Sequence, residues 1–309
     1  MIALYIVLGF IAFSILGHFV VTYLIFLKFF GRMSVKAINK SNEKNDYAIP
    51  YLEKISKICK ENEAIPSELV SISSFDNLTL TASYYSSNSD KTIIMFHGFH
   101  ALPMVNFGIQ LQYFLKHRFN VLLVNQRAHE GSEGKYSTYG QKEQNDVLSW
   151  IKYVSDNECI NSIILYGISM GATSICYASD KIFDKKVKLL IIESSFTSVT
   201  SLVDHIVTSQ HVPSFLFSGP VHFFSTHLAG VKWEDNSTTD SLKNNHIPAV
   251  FVHGTKDSIA ISSFFEDNYN NCFSNKYKIV VEDAPHALCA YHDENKYLDQ
   301  LESIIGENL

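Results

Sequence analysis

The run Ser162-Ile163-Ile164-Leu165-Tyr166 passes without a break into Gly167-Ile168-Ser169-Met170-Gly171-Ala172, and a helix-compatible stretch follows. No other segment restricts the fold as strongly. An apolar β-rich run that becomes a helix within a few residues needs a sharp turn, and Gly167 and Gly171 let strand and helix backbones approach closely around it. The turn lifts the Ser169 hydroxyl clear of the chain at a helix N-terminus, which makes it a candidate nucleophile. The plain alternative is a tight strand-to-helix turn with a capping serine.

The surroundings carry the same pattern. Glu68–Ser74 and Leu78–Tyr85 read as strands joined by Asp76-Asn77, an antiparallel hairpin at a sheet edge. Strand-like runs at Thr92–Phe96, Val121–Val124, Ser162–Leu165, Leu189–Ile192, Ala249–Val252 and Tyr277–Val281 then alternate with longer helix-like stretches. Alternation of this kind predicts an α/β fold: a mostly parallel sheet covered by helices on both faces, with reactive residues in loops at the strands' C-terminal ends. The interval Ser195–Asn245 is too long for a simple connection and holds the apolar stretch Val212–Phe224. It reads as a small helical cap whose Phe215, Phe217, Phe223 and Phe224 form one wall of an apolar pocket; a packed helical excursion without a substrate role is the other reading.

A serine hydroxyl attacks poorly until a base removes its proton, so the motif calls for a histidine and an acid. Val250-Phe251-Val252-His253-Gly254-Thr255-Lys256-Asp257 places Asp257 just after a strand. His286 follows the next one, in Asp283-Ala284-Pro285-His286. Glu193, directly after the strand ending at Ile192, competes for the acid's place, whereas Asp283 is too close to His286 in sequence. An oxyanion needs two backbone donors. The amide of Met170 supplies one, and the amide of Phe99 in His97-Gly98-Phe99-His100 is the natural second, with Gly98 permitting the close approach. Arg127 either lines the site or holds its loop in a structural ion pair.

Together His97-Gly98, Gln126-Arg127-Ala128-His129, Gly167-Ile168-Ser169-Met170-Gly171, Gly254-Thr255-Lys256-Asp257 and Pro285-His286 make the chain from about Leu69 to Ile305 resemble the α/β-hydrolase superfamily. It is most similar to small membrane-anchored bacterial hydrolases described as serine-aminopeptidase-like or prolyl-oligopeptidase-like. One departure is Glu130 before Gly131, where glycine usually continues the Arg-x-His turn. The resemblance implies a serine hydrolase, in a family that includes esterases, thioesterases, lipases, amidases and peptidases; the favoured reading is hydrolysis of a carboxylic ester or thioester through an acyl-serine intermediate, with no metal and no organic cofactor. Peptide or amide hydrolysis is the second reading, and a non-catalytic membrane-bound interaction module the third.

The N-terminus adds location. Ile2–Leu27 contains no charged residue, and about 26 residues at ~1.5 Å each cross a ~30 Å hydrocarbon core with some tilt. No basic residue precedes the run and no small-x-small cleavage site closes it, so an uncleaved anchor is expected. Lys28, Arg32, Lys36, Lys40 and Lys44 follow it, so the positive-inside rule favours a cytoplasmic body; a body facing outward is the other reading, since a single span gives one asymmetry to count. The expected division is a transmembrane anchor over 1–30, a juxtamembrane helical linker over 31–67, and a hydrolase domain over 68–309 with its cap at about 199–245. A chain cut at about Lys40 is expected to be soluble and to hydrolyse small esters, since the sheet begins only near Glu68. A net charge of −6 leaves nothing to neutralise phosphates, so nucleic acid is not an expected partner. An acyl, lipid-like substrate and the membrane are. Cys59, Cys159, Cys176, Cys272 and Cys289 lack CxxC spacing, which disfavours zinc and points to unpaired thiols.

Overall fold

The computed structural model describes residues 1–42, 45–209 and 214–309, the side chains of Asn42 and of residues 214–217 excepted. Eight strands form one sheet: β1 (Glu68–Ser73), β2 (Thr79–Tyr85), β3 (Lys91–Phe96), β4 (Asn120–Asn125), β5 (Ser162–Ile168), β6 (Val187–Glu193), β7 (Ala249–Gly254) and β8 (Lys276–Val281). They lie in the order β1-β2-β4-β3-β5-β6-β7-β8. β1 and β2 form the antiparallel edge hairpin, β2 is antiparallel to β4, and every pairing from β4 to β8 is parallel. This is the α/β-hydrolase sheet that the motifs imply.

Three helices precede the sheet: α1 (Ile2–Phe30), α2 (Val35–Asn42) and α3 (Leu52–Asn62). Next come α4 (Pro103–Lys116), α5 (Glu143–Ser155) and α6 (Met170–Ala178), between strands. The β6–β7 interval holds α7 (Val199–Ser209), α8 (Ser214–Phe224) and α9 (Thr238–Lys243). Finally come α10 (Ser262–Asn271), α11 (Cys289–His292) and α12 (Glu294–Asn308).

The central strands are apolar throughout because successive side chains leave a strand on opposite sides and here both sides are covered. Ile93, Met95, Ile164 and Tyr166 pack with Phe107 and Leu111 of α4 and Leu301 of α12. Their neighbours Ile94, Phe96, Ile163 and Leu165 pack on the other face with Val147 and Trp150 of α5 and Ile175 of α6. Each fully buried aliphatic or phenylalanine side chain adds roughly 1.5–3 kcal/mol over its exposed state.

A third apolar cluster departs from the sequence reading. No residue of α1 before Thr22 is buried, but Thr22, Phe26 and Phe30 are. Phe26 and Phe30 pack with Tyr139, Phe196, Val199, Leu202, Val221 and Trp233. Thr22 satisfies its hydroxyl on its own helix, donating to the carbonyls of His18 and Phe19 at 2.9 and 3.0 Å. Beyond the helix, Gly31 bridges to Tyr136, the Arg32 amide donates to the Lys135 carbonyl at 2.9 Å, and Ser137 N–H donates to the Phe30 carbonyl at 2.8 Å. Ile38 of α2 is buried, as are Ile55 and Ile58 of α3. Residues up to Lys40 are therefore not a dispensable leader: the last turns of α1 are core, and a cut at Lys40 removes them.

Candidate active site

Ser169 joins β5 to α6 with φ 54° and ψ −116°, a conformation that a residue bearing a Cβ rarely takes. Its neighbours make the turn possible. A Cβ on Gly167 would collide with the Ala172 amide, and one on Gly171 with the Phe96 carbonyl. The Ser169 amide donates to the Glu193 carbonyl at 2.8 Å, which ties the turn to the end of β6.

Two loops on the same sheet edge complete the set. His286, after β8, has Nε2 3.0 Å from Ser169 Oγ. Its Nδ1 lies 2.8 and 3.0 Å from Asp257 Oδ2 and Oδ1. Asp257, after β7, also accepts the amides of Ile259 and Ala260 through Oδ1 at 2.9 and 2.8 Å. Burial pushes the Asp257 carboxyl upward, but the adjacent His286 and the hydrogen bonds it accepts outweigh burial and leave it below the usual carboxylate range. An ionised Asp257 holds a proton on Nδ1, so Nε2 presents its lone pair to the Ser169 hydroxyl. The arrangement can move the serine proton to the imidazole and stabilise the cation that results.

Glu193 does not compete for this place. Its carboxylate is buried, accepting Tyr166 O–H at 2.6 Å and the Cys289 amide at 3.3 Å, and burial raises its pKa. Asp283 instead pairs with Lys256 at 2.9 Å on the surface.

The loop that carries Gly98 and Phe99 is held by histidines that burial keeps neutral. Gln126 N–H donates to His97 Nε2 at 3.1 Å, so the proton of that ring sits on Nδ1 and reaches the Gly98 carbonyl at 2.7 Å. The His100 amide donates to His129 Nε2 at 3.1 Å, which likewise sends His129 Nδ1–H to the Arg127 carbonyl at 2.9 Å. Burial holds His97 well below its ordinary pKa and lowers His129 and His100 to about 4. These bonds fix Gly98 against the serine: a Cβ on Gly98 would stand 3.3 Å from Ser169 Cβ. Phe99 follows Gly98 on this wall, and Met170, the first residue of α6, has one of the N–H groups that a helix start leaves unpaired.

Arg127 is not a site residue. Its guanidinium is buried and fully engaged, with Nε and Nη2 on Asp146 at 2.6 and 2.7 Å and Nη1 and Nη2 on Asp76 at 2.9 and 3.1 Å. It locks the hairpin turn to α5. At the Glu130 departure the backbone has φ 34°, and the Glu130 carbonyl accepts from Arg32. Phe215 and Phe217 lie on α8, but their side chains are outside the described residues; Phe224 packs on Tyr23 and Phe26 of α1 at 5.2 and 6.0 Å between ring centres.

Sequence reasoning missed three contributors. Ser194 adopts φ 55° and accepts the Ala287 amide at 3.3 Å, which helps position the His286 loop. Its place at the C-terminal end of β6 was the available signal. Tyr139 stacks on Phe99 at 4.7 Å, and Gly31 accepts from His100 Nε2 at 3.1 Å. Neither pairing has a sequence signature, because both join distant loops.

Comparison with known proteins agrees with this geometry. A family described as alpha/beta hydrolase fold matches residues 91–240. A Bacillus subtilis protein named YqkD, itself uncharacterized, is 24% identical over 213 residues, covering 68% of this chain and 69% of its own. A thiohydrolase of Aspergillus aculeatus is 28% identical over 163 residues, 51% of this chain and 48% of that one. Among solved structures, the Pyrococcus furiosus esterase Pf2001 superposes with a TM-score of 0.65 at 22% identity, over 80% of this chain and 95% of that one.

Proposed function

Taking this chain as the α/β-hydrolase that its fold and family match make it, we propose that it is a membrane-anchored serine hydrolase of carboxylic esters or thioesters. Ser169 attacks the acyl carbonyl, His286 takes its proton and returns it to the leaving group, and Asp257 orients and stabilises the imidazolium. The amides of Phe99 and Met170 bind the oxyanion. The observation that supports this is the continuous hydrogen-bonded line from Asp257 through His286 to Ser169, at 2.8 and 3.0 Å, on a strained serine turn. No step calls for a metal or organic cofactor. The esterase and thiohydrolase relatives favour an oxygen or sulfur leaving group.

Anchoring rests on α1, the one helix among the described residues that is long and apolar enough to cross a membrane. Lys28, Arg32, Lys36 and Lys40 on its C-terminal side favour a cytoplasmic body.

The test is covalent. A fluorophosphonate probe should label the wild type and leave Ser169→Ala unlabelled, with ester hydrolysis lost in parallel. Asp257→Asn should lower turnover by something like 10⁴-fold, as expected when the imidazole is held in the wrong tautomer. Labelling retained in Ser169→Ala, or a larger loss from Glu193→Gln than from Asp257→Asn, would refute the assignment.

A further inference from the structure

Ser169, Asp257 and His286 follow three different strands, and one dipeptide is bonded to all three regions. Glu193 is the last residue of β6 and Ser194 the first beyond it, and both are buried. Through the backbone, Glu193 accepts the Ser169 amide at 2.8 Å, while Ser194 donates at 3.0 Å to the Val252 carbonyl of β7, the strand that leads to Asp257. Through the side chains, Ser194 Oγ accepts the amide of Ala287, next to His286, at 3.3 Å. Glu193 Oε1 accepts the Cys289 amide, at the start of α11, also at 3.3 Å. Once its oxygen accepts from Ala287, the Ser194 hydroxyl still has a proton to give, and a hydrogen bond from Ser194 is among those that hold the Asp257 carboxyl low.

One backbone angle brings both side chains to the same place. Leu189 and Ile191 pack on the face covered by α4 and α12, and Glu193 continues their row. Alternation alone would send Ser194 to the opposite face. Its φ of 55°, a conformation that costs any residue bearing a Cβ, turns the hydroxyl to the Ala287 amide instead. Glu193 is braced from behind. Its Oε2 accepts from Tyr166 at 2.6 Å, and the Tyr166 hydroxyl also meets that of Tyr297 and accepts from Gln110 Nε2 at 3.1 Å. Tyr166, Tyr297 and Gln110 are all buried, so this network holds the carboxylate where water does not compete for it.

We propose that Glu193 and Ser194 are positioning residues, whose carboxylate and hydroxyl hold the segment after His286 so that the imidazole stands in line between Asp257 and Ser169. The inference rests on the serine-hydrolase reading above and adds two residues to it. Neither side chain touches the reacting atoms. Each acts through His286 or Asp257, so its loss misaligns the proton transfer and leaves the substrate's own contacts in place.

The test uses the full-length protein in detergent, with p-nitrophenyl butyrate as substrate and the fluorophosphonate probe to count active serines. Ser194→Gly adopts the same left-handed backbone freely and removes only the side chain. It should lower kcat about tenfold or more, with KM within about twofold of wild type and a cooperative melting transition retained. Glu193→Ala should lower kcat at least as far, and Glu193→Gln, which keeps an oxygen for the Cys289 amide, should recover most of that loss. A Ser194→Gly kcat within about twofold of wild type, a loss carried by KM alone, or a Glu193→Gln no better than Glu193→Ala would each overturn the positioning role. Should Glu193→Ala not fold, as seen by loss of the melting transition, Ser194→Gly decides in its place. A wild type that labels and hydrolyses butyrate beside a Ser194→Gly of unchanged kcat defeats the positioning role alone; a wild type that neither labels nor hydrolyses defeats the serine-hydrolase reading with it.

Discussion

The two parts of α1 are built from the same kinds of residue and meet different surroundings. No residue of Ile2–Val21 is buried, and Phe10 and Phe13 are 72% and 74% exposed. A few residues later Phe26 and Phe30 are enclosed by Tyr139, Val221 and Trp233, and the backbone just after them is hydrogen-bonded into the loop over residues 135–137. Apolar composition cannot tell these apart, since lipid and a protein core favour the same side chains. What separates them is whether a partner surface exists at that height, and that surface comes from residues more than 100 positions away.

This contrast can be tested by cutting. Removing residues up to Lys40 should abolish probe labelling and ester hydrolysis, because it strips Phe26 and Phe30 from the core and Gly31 from His100. Removing only residues 2–20 should preserve hydrolysis of p-nitrophenyl butyrate within a few-fold. Equal activity in the two truncations would erase the distinction.

Point substitutions sharpen it. Phe26→Ala should destabilise by about 3–5 kcal/mol, the cost of a large cavity in a packed cluster. Phe13→Ala should leave thermal unfolding in detergent unchanged. Matching shifts in the melting temperature would show that both residues face the same environment.

Acid should loosen the junction next. His129 and His100 have pKa values of about 4 when folded and about 6.5 when unfolded, so the unfolded chain takes up protons first. Their contribution is complete above pH ~6.5 and is lost as pH falls toward 4, on the order of 3 kcal/mol for His129. Melting temperature measured from pH 7.5 to 4.5 should fall across that window. His129→Gln, which cannot be protonated there, should flatten the fall; an unaltered slope would remove His129 from the account.

The smallest effect belongs to Arg32, whose guanidinium donates to the carbonyls of Glu130, Ser132 and Gly134. Arg32→Ala should cost about 1–2 kcal/mol, discounted for its exposure. Lys36→Ala, on the same basic run, should be neutral within error in chemical denaturation.

The sequence by itself determined the strands, their mostly parallel sheet and the serine turn, because periodicity, glycine sterics and strand-end placement are local properties. Ser169, Asp257 and His286 were legible for that reason: each follows an apolar run on the side where an α/β sheet exposes its loops. The sequence favoured Asp257 and kept Glu193 as its rival; tertiary structure separates Asp257, in the loop after β7, from Glu193, the last residue of β6. Only one carboxylate turns to the His286 loop; the other turns inward to Tyr166 and the Cys289 amide. It also separated the two readings of Arg127, site lining or structural ion pair, by placing Asp76 and Asp146 against its guanidinium. The docking of α1 was hidden for the same physical reason. An unbroken apolar helix carries no stripe to mark its buried side, so which residues meet lipid and which meet protein is fixed by the fold that closes against it.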